Sequence, residues 1–249
     1  MLGKYVEIAR GVKDLDATLP YYEKIGLKKI KEGSEPMKWA LFTDGRVNIK
    51  LFQMENEFTG LMYYTDDLSG VKLNLKDARV EFSEMKDPMG NDMIMLKDPD
   101  DLNIAISEEP YDVDIVPDMY AESKNPYGYF GEFSITVKDL NKSIEFWEKL
   151  GYITTMKMKM VFKFAILLDG RMVIGLHQNA KQETEAITYF SPKMKEFIPK
   201  LQEKGLVFRE GPMVKLKKGN GITSAPDGQV FFFFKGKVKM PEKYHYLIQ

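Results

Sequence analysis

The chain has 249 residues, 44% of them hydrophobic and 29% charged, with a net charge of −1. That composition belongs to a folded globular protein and excludes a disordered chain or one with a basic field for nucleic acid or anionic lipid. Without cysteine there is no disulfide framework and no thiolate nucleophile or metal ligand, and no run approaches the ~18–20 apolar residues of a membrane span, so the cytoplasm is the default location.

Residues 4–9 alternate as a strand, 14–25 carry a helical stripe, and strands follow at 27–32, 37–42 and 47–53. The last two are joined by Asp44-Gly45, a hairpin signal. A second, weaker unit follows with a strand at 60–65, a helix over 68–77, strands at 79–84 and 92–96, a turn at Asp98-Pro99-Asp100-Asp101 and a strand at 102–107. Residues 108–128 hold prolines and acids without a sustained period and read as a linker.

Residues 130–137 then alternate again. A helix over 140–150 presents Leu140, Ser143, Ile144, Trp147 and Leu150 as one stripe, with Asp139 as N-cap and Gly151 as the stop. Strands near 152–159, 161–168 and 171–178 complete this third unit. A fourth runs from Ala186 through a helix at 192–204, strands at 206–210 and 213–217, the turn Ala225-Pro226-Asp227-Gly228 and a strand at 229–235, before a polar tail containing His245. Lys215, Lys217 and Lys218 read as a solvated strand or turn.

The third unit repeats the first at a fixed offset of 125 residues. Val12-Lys13-Asp14-Leu15 and Glu23-Lys24 match Val137-Lys138-Asp139-Leu140 and Glu148-Lys149, and Asp44-Gly45-Arg46 recurs as Asp169-Gly170-Arg171. With the Pro-Asp-Gly turn before the last strand, the run Val-Lys-Asp-Leu…Ser-Ile-x-Phe-Trp-x-Lys-Leu-Gly resembles the vicinal oxygen chelate superfamily of glyoxalases, extradiol dioxygenases and bleomycin resistance proteins. The resemblance implies an α+β fold of four βαβββ units forming two glyoxalase-like cups in tandem, residues 1–107 and 129–249, joined by 108–128.

Metal-binding members of that superfamily place ligands in the first and last strands of each unit. The corresponding positions here are Glu7, Lys50, Gly60, Ala105, Glu132, Gly175, Ala186 and Phe232. Only Glu7 and Glu132 offer a metal donor, whereas a catalytic divalent metal takes about three protein donors. His177 shares the face of the Gly175 position and could join Glu132, which still makes two donors; a hydrogen-bonded rim residue is the alternative. The expectation is no family-type metal site and no cofactor.

Glu7 and Glu132 lie opposite Val6/Ile8 and Phe133/Ile135, hence in the cups. Lys50 beside Glu7 reads as a structural ion pair, or as the partner of a Glu7 general base. In the second cup Phe232 and Phe234, with Phe164 and Phe162 toward the same space, suit a flat molecule carrying a cation at Glu132, or simply pack together. Glu7, Lys50, Glu132, His177, Phe164, Phe232 and Phe234 are thus the candidate ligand-binding residues. Two functions stay open: a metal-independent, bleomycin-resistance-like protein binding a small molecule, or a divergent lyase, isomerase or dioxygenase-like enzyme using Glu7 or Glu132. A structural module is a third, and a sheet-edge homodimer is compatible with each.

Overall fold

The computed structural model describes residues 2–108, 116–158, 163–178, 185–212, 214–237 and 244. Phe162 and His245 of the sequence reading, and part of the linker and tail, lie outside these residues.

The first half contains β1 (Tyr5–Val12), α1 (Leu15–Lys24), β2 (Lys28–Gly33), β3 (Trp39–Thr43), β4 (Asn48–Gln53), β5 (Phe58–Tyr64), α2 (Leu68–Asp77), β6 (Ser83–Lys86), β7 (Asp92–Lys97) and β8 (Asn103–Ser107). Its eight strands form one sheet in the order β2-β3-β4-β1-β5-β8-β7-β6. The second half contains β9 (Tyr129–Thr136), α3 (Leu140–Lys149), β10 (Ile153–Met158), β11 (Lys163–Leu168), β12 (Val173–Gln178), β13 (Ala186–Ser191), α4 (Met194–Glu203), β14 (Gly221–Ser224) and β15 (Val230–Lys235). These strands order as β10-β11-β12-β9-β13-β15-β14. In each sheet the first strands of two βαβββ units, β1 with β5 and β9 with β13, pair antiparallel at the centre. The fold is α+β, with one sheet per half.

Local chemistry sets these elements as the patterns require. Asp14 caps α1 by accepting from the Ala17 amide at 2.9 Å, and Asp139 caps α3 through the Asn141 and Lys142 amides. Gly26 and Gly151 follow the two helices at φ 94°, a conformation that costs glycine little. Leu140, Ser143, Ile144, Trp147 and Leu150 are all buried, as the stripe demands.

The fourth unit departs from expectation. Residues 206–210 contribute only an isolated bridge, Arg209 with Ile222, and of the predicted strand 213–217, whose Met213 lies outside the described residues, residues 214–217 form no strand and lead into a 3₁₀ turn at Leu216–Lys218. The run Lys215-Leu216-Lys217-Lys218 has a single apolar residue to bury and ends at Gly219 with φ 81°, so it turns where it would have to extend. The strand that does form, β14, starts two residues later, and the first strand after α2 likewise begins at Ser83 because Arg79 turns at φ 55°.

Described linker residues 116–128 lie outside both sheets, but they are anchored. The Lys124 amide donates to the Asp44 carbonyl at 2.6 Å, Arg46 Nε donates to the Ala121 carbonyl at 2.7 Å, and Met119 is buried.

The helix-covered faces of both sheets contribute to one apolar cluster that runs through both halves. Tyr22 of α1 packs on Phe42 of its own half and edge-on against Phe231 of β15. Polar pairs are built into the junction. Arg10 Nε donates to Asp227 Oδ2 at 2.8 Å and Nη2 to the Asp227 carbonyl at 2.7 Å, with Tyr22 Oη on the same carboxylate. Tyr63 Oη donates to Asp169 Oδ2 at 2.8 Å and also meets the Tyr152 hydroxyl. The aspartates of the two Asp-Gly hairpins therefore do more than turn the chain: Asp44 also accepts from the Phe130 amide of the other half. Burial holds both carboxyls above their usual range, opposed by the backbone amides that donate to them.

Candidate functional site

The faces turned away from the shared core form the cups. In the first, alternation places Glu7 and Ala9 of β1, Lys50 and Phe52 of β4, Gly60 and Met62 of β5, Met93 and Met95 of β7, and Asn103 and Ala105 of β8 on one side. All of these except Glu7 line a cavity of about 470 Å³, within the usual range for small-molecule sites. Trp39 and Phe58 complete its aromatic wall, and Met37, Met54 and Met89 add thioethers to those of Met62, Met93 and Met95.

At the base of this cavity the sequence-predicted pair is formed. Lys50 Nζ lies 3.9 Å from Glu7 Oε2, with the side chains 15% and 2% exposed. Glu7 does not depend on the lysine, because Tyr5 Oη donates to Oε1 at 2.6 Å and Tyr64 Oη donates to Oε2 at 3.0 Å. Asn48 supports the arrangement by donating to Tyr5 Oη at 2.7 Å. The ammonium of Lys50 stands 4.9 Å from the Trp39 ring centroid, 5.2 Å from Phe52 and 5.8 Å from Tyr64, and donates to Tyr64 Oη at 3.3 Å. The faces of these rings attract the ammonium charge.

The second cup repeats the plan with other chemistry. The offset of 125 carries Lys50 onto Gly175, Phe52 onto His177 and Trp39 onto Phe164. Because residue 175 has no side chain, the Glu132 carboxyl lies directly over it; a Cβ there would come within 2.4 Å of Glu132 Cδ. Glu132, 8% exposed, meets His177 Nε2 at 2.7 Å and accepts from Ser134 Oγ at 2.7 Å. Since Ser134 donates to the carboxylate, Thr188 Oγ1, 2.7 Å away, supplies the proton between the two hydroxyls. Phe164 stacks on the His177 ring at 5.7 Å. Phe232 and Phe234 stack on each other at 5.5 Å, and Phe232 lies in one cross-strand row with Glu132, with Thr188 of β13 between them.

Glu7 with Lys50, and Glu132 with His177 and Phe164, are thus assembled as the sequence implies. Trp39, Phe58 and the methionines were missed, although stepping by two along the strands from Lys50, Gly60 and Ala105 reaches Phe52, Met54, Phe58, Met62 and Asn103. The first cup is therefore more apolar than its ligand positions suggest.

The donors do not fit the superfamily's metal centre. Among the described residues no three His, Cys, Asp or Glu side chains converge. In the first cup an ammonium stands beside the only carboxylate at the ligand positions, and in the second a carboxylate and an imidazole bond each other.

No protein-family model matches the chain, and no curated protein is similar to it in sequence. Solved structures do match. A catechol 2,3-dioxygenase superposes with a TM-score of 0.65 at 14% identity, over 95% of this chain and 88% of its own. The 2,3-dioxygenase LapB from Pseudomonas sp. KL28 gives 0.63 at 11% identity, over 96% and 93%. The Mn(II)-bound glyoxalase from Novosphingobium aromaticivorans gives 0.60 at 16% identity, over 98% and 85%. The chain has the vicinal oxygen chelate fold; at these identities the likeness reaches the fold and no further.

Proposed function

We propose that this chain is a cytoplasmic small-molecule-binding protein, that its N-terminal cup takes a mainly apolar organic ligand, and that neither cup holds a family-type metal. The observation that carries this reading is the cavity of about 470 Å³ walled by Trp39, Phe52, Phe58 and methionines. Flexible thioethers beside rigid rings adapt to ligands of different outline, and a few polar groups at one end orient them. Lys50 supports the metal-independent part, since its charge occupies the neighbourhood of Glu7 that a divalent cation would need.

Native mass spectrometry of the purified chain tests the binding reading: a co-purifying organic molecule is expected, lost in Ala105→Trp, which fills the cavity from β8. Elemental analysis after dialysis tests the other part. No stoichiometric divalent metal is expected, and one metal per chain that disappears in Glu132→Ala and His177→Ala would overturn it.

A second reading rests on the Glu132–His177 contact. A carboxylate that orients an imidazole, itself backed by the Ser134–Thr188 hydroxyls, is the arrangement of a general base, and it supports lyase or isomerase chemistry in the C-terminal cup. Turnover abolished by His177→Asn and unaffected by Lys50→Met would favour it over simple binding.

A further inference from the structure

We propose that the N-terminal cup selects an apolar monoanion, a molecule with a flat or adaptable hydrocarbon body and one carboxylate or sulfonate head, and that Lys50 is the residue that reads the head. This inference rests on the binding reading of the same cavity and adds the charge of the ligand to it.

Lys50 lines the cavity, whereas Glu7 lies behind it and is 2% exposed. The lysine is held from the back without being saturated. Its contacts to Tyr64 Oη at 3.3 Å and Glu7 Oε2 at 3.9 Å are both longer than the ~2.7–2.9 Å of a strong charged hydrogen bond. Three N–H donors on one ammonium leave capacity for a third acceptor on the cavity side. Meanwhile the Glu7 charge is spread over two tyrosine hydroxyls, at 2.6 and 3.0 Å, so it does not need the lysine's full attention.

A cationic ligand is disfavoured by the same geometry. The faces of Trp39, Phe52 and Tyr64, which would otherwise receive it, already face the Lys50 ammonium. A ligand cation would meet like charge there.

The two other acids at the cavity do not reverse this balance. Asp87 is committed to its own turn, accepting from the Met89 amide, the Asn91 amide and Asn91 Nδ2 at 2.8, 2.9 and 2.8 Å. Glu35 is exposed to solvent, where its field is screened. The walls that remain are hydrocarbon, thioether and ring, which reward an apolar body and exclude water from the head's contact with Lys50. Such a contact is worth more in that setting than at a surface.

Calorimetric titration with three probes of one shape tests the idea: 2-naphthylacetate, 2-(2-naphthyl)ethanol and 2-(2-naphthyl)ethylammonium. The expected order is the anion at least tenfold tighter than the alcohol, with the cation weakest. In Lys50→Met the anion and alcohol should bind within twofold of each other, and Lys50→Arg should keep the anion preference. Equal binding of anion and alcohol by the wild-type chain, or cation binding tightest, would overturn the inference while leaving the binding reading intact. Failure of all three to bind would remove both. Should Lys50→Met not fold, the wild-type ranking and Lys50→Arg still decide.

Discussion

The two cups begin from the same glutamate on the same strand and neutralise it differently. In the first, a lysine two residues before the aromatic Phe52 stands 3.9 Å away and two tyrosines carry the hydrogen bonds. In the second, the lysine position is Gly175 and the aromatic position is His177, so the glutamate lies over the glycine and bonds the imidazole at 2.7 Å. One exchange of side-chain volume and one of ring chemistry turn a cavity with a cation at its base into an acid–imidazole pair. What they share is the core beneath them. The comparison therefore predicts cups with separate chemistry and joint stability.

The largest expected effect tests that joint stability. Arg10 and Asp227 are a buried pair spanning the halves, with side chains 9% and 1% exposed. Arg10→Met leaves Asp227 with Tyr22 but no cation, and removing one member of a buried pair costs ~3–5 kcal/mol. Urea unfolding followed by both near-ultraviolet and far-ultraviolet circular dichroism should shift as one transition. Two transitions, with only one of them moved, would show that the halves melt separately.

A second effect distinguishes the halves by pH. The turns before the last strand of each half correspond, yet Asp98 stands in one where Ala225 stands in the other. Burial pushes the Asp98 carboxyl from 3.8 to about 6, partly opposed by the Leu102 and Asp100 amides that donate to it at 2.9 and 2.8 Å. A raised carboxyl favours its neutral form in the fold, so its stabilising contribution is complete below pH 3.8 and is lost as pH rises through about 6. Asp98→Asn should therefore match the wild type near pH 4 and exceed it by ~2–3 kcal/mol at pH 7.5, scaling ~1.4 kcal/mol per pKa unit. Stability curves that stay parallel from pH 4 to 7.5 would show that Asp98 is not the source.

These cases also mark what could be read in the residues. The repeat gave both βαβββ plans and the caps, because helix stripes and Asp-Gly turns are local signals. The Glu7–Lys50 proximity followed from the superfamily resemblance, which puts both residues at ligand positions of one cup. The junction was not legible: Arg10 and its partner Asp227 lie 217 positions apart, and no local pattern links them. The strand predicted at 213–217 failed because a single leucine between lysines cannot outweigh the glycine turn that follows. The apolar lining of the first cup is present in the alternation, at positions such as Phe52, Phe58 and Met62 that flank the ones matching metal ligands.

The third prediction asks whether the glycine makes the second cup what it is. Gly175→Ala puts a Cβ within 2.4–2.5 Å of the Glu132 carboxyl atoms, so the carboxyl must leave its place and with it His177. A charge-assisted hydrogen bond of this kind is worth ~1.5–3 kcal/mol, and a cost of ~2 kcal/mol is expected. Nitrogen chemical shifts of the His177 ring should change in the same variant. Unchanged shifts would mean that the carboxyl moves aside without releasing the imidazole, and that the glycine is not what separates the two cups.

The smallest effect concerns the first cup, where the ion pair is present but shared. Were Glu7 held by Lys50 alone, Lys50→Met would leave an uncompensated buried charge and cost the full ~3–5 kcal/mol. The two tyrosine hydroxyls prevent that, and the 3.9 Å separation lies beyond direct hydrogen bonding. A double-mutant cycle of Glu7→Gln and Lys50→Met should accordingly give a coupling of only ~1 kcal/mol. Adding Tyr64→Phe, which removes the hydroxyl that contacts both residues, should raise the coupling, because Glu7 then leans on the lysine. A cycle already at ~3 kcal/mol in the otherwise wild-type chain would mean that the pair is a structural bridge and that Lys50 has little charge left for a ligand; a value near 1 kcal/mol that grows without Tyr64 is the signature of a cation held in place and kept available.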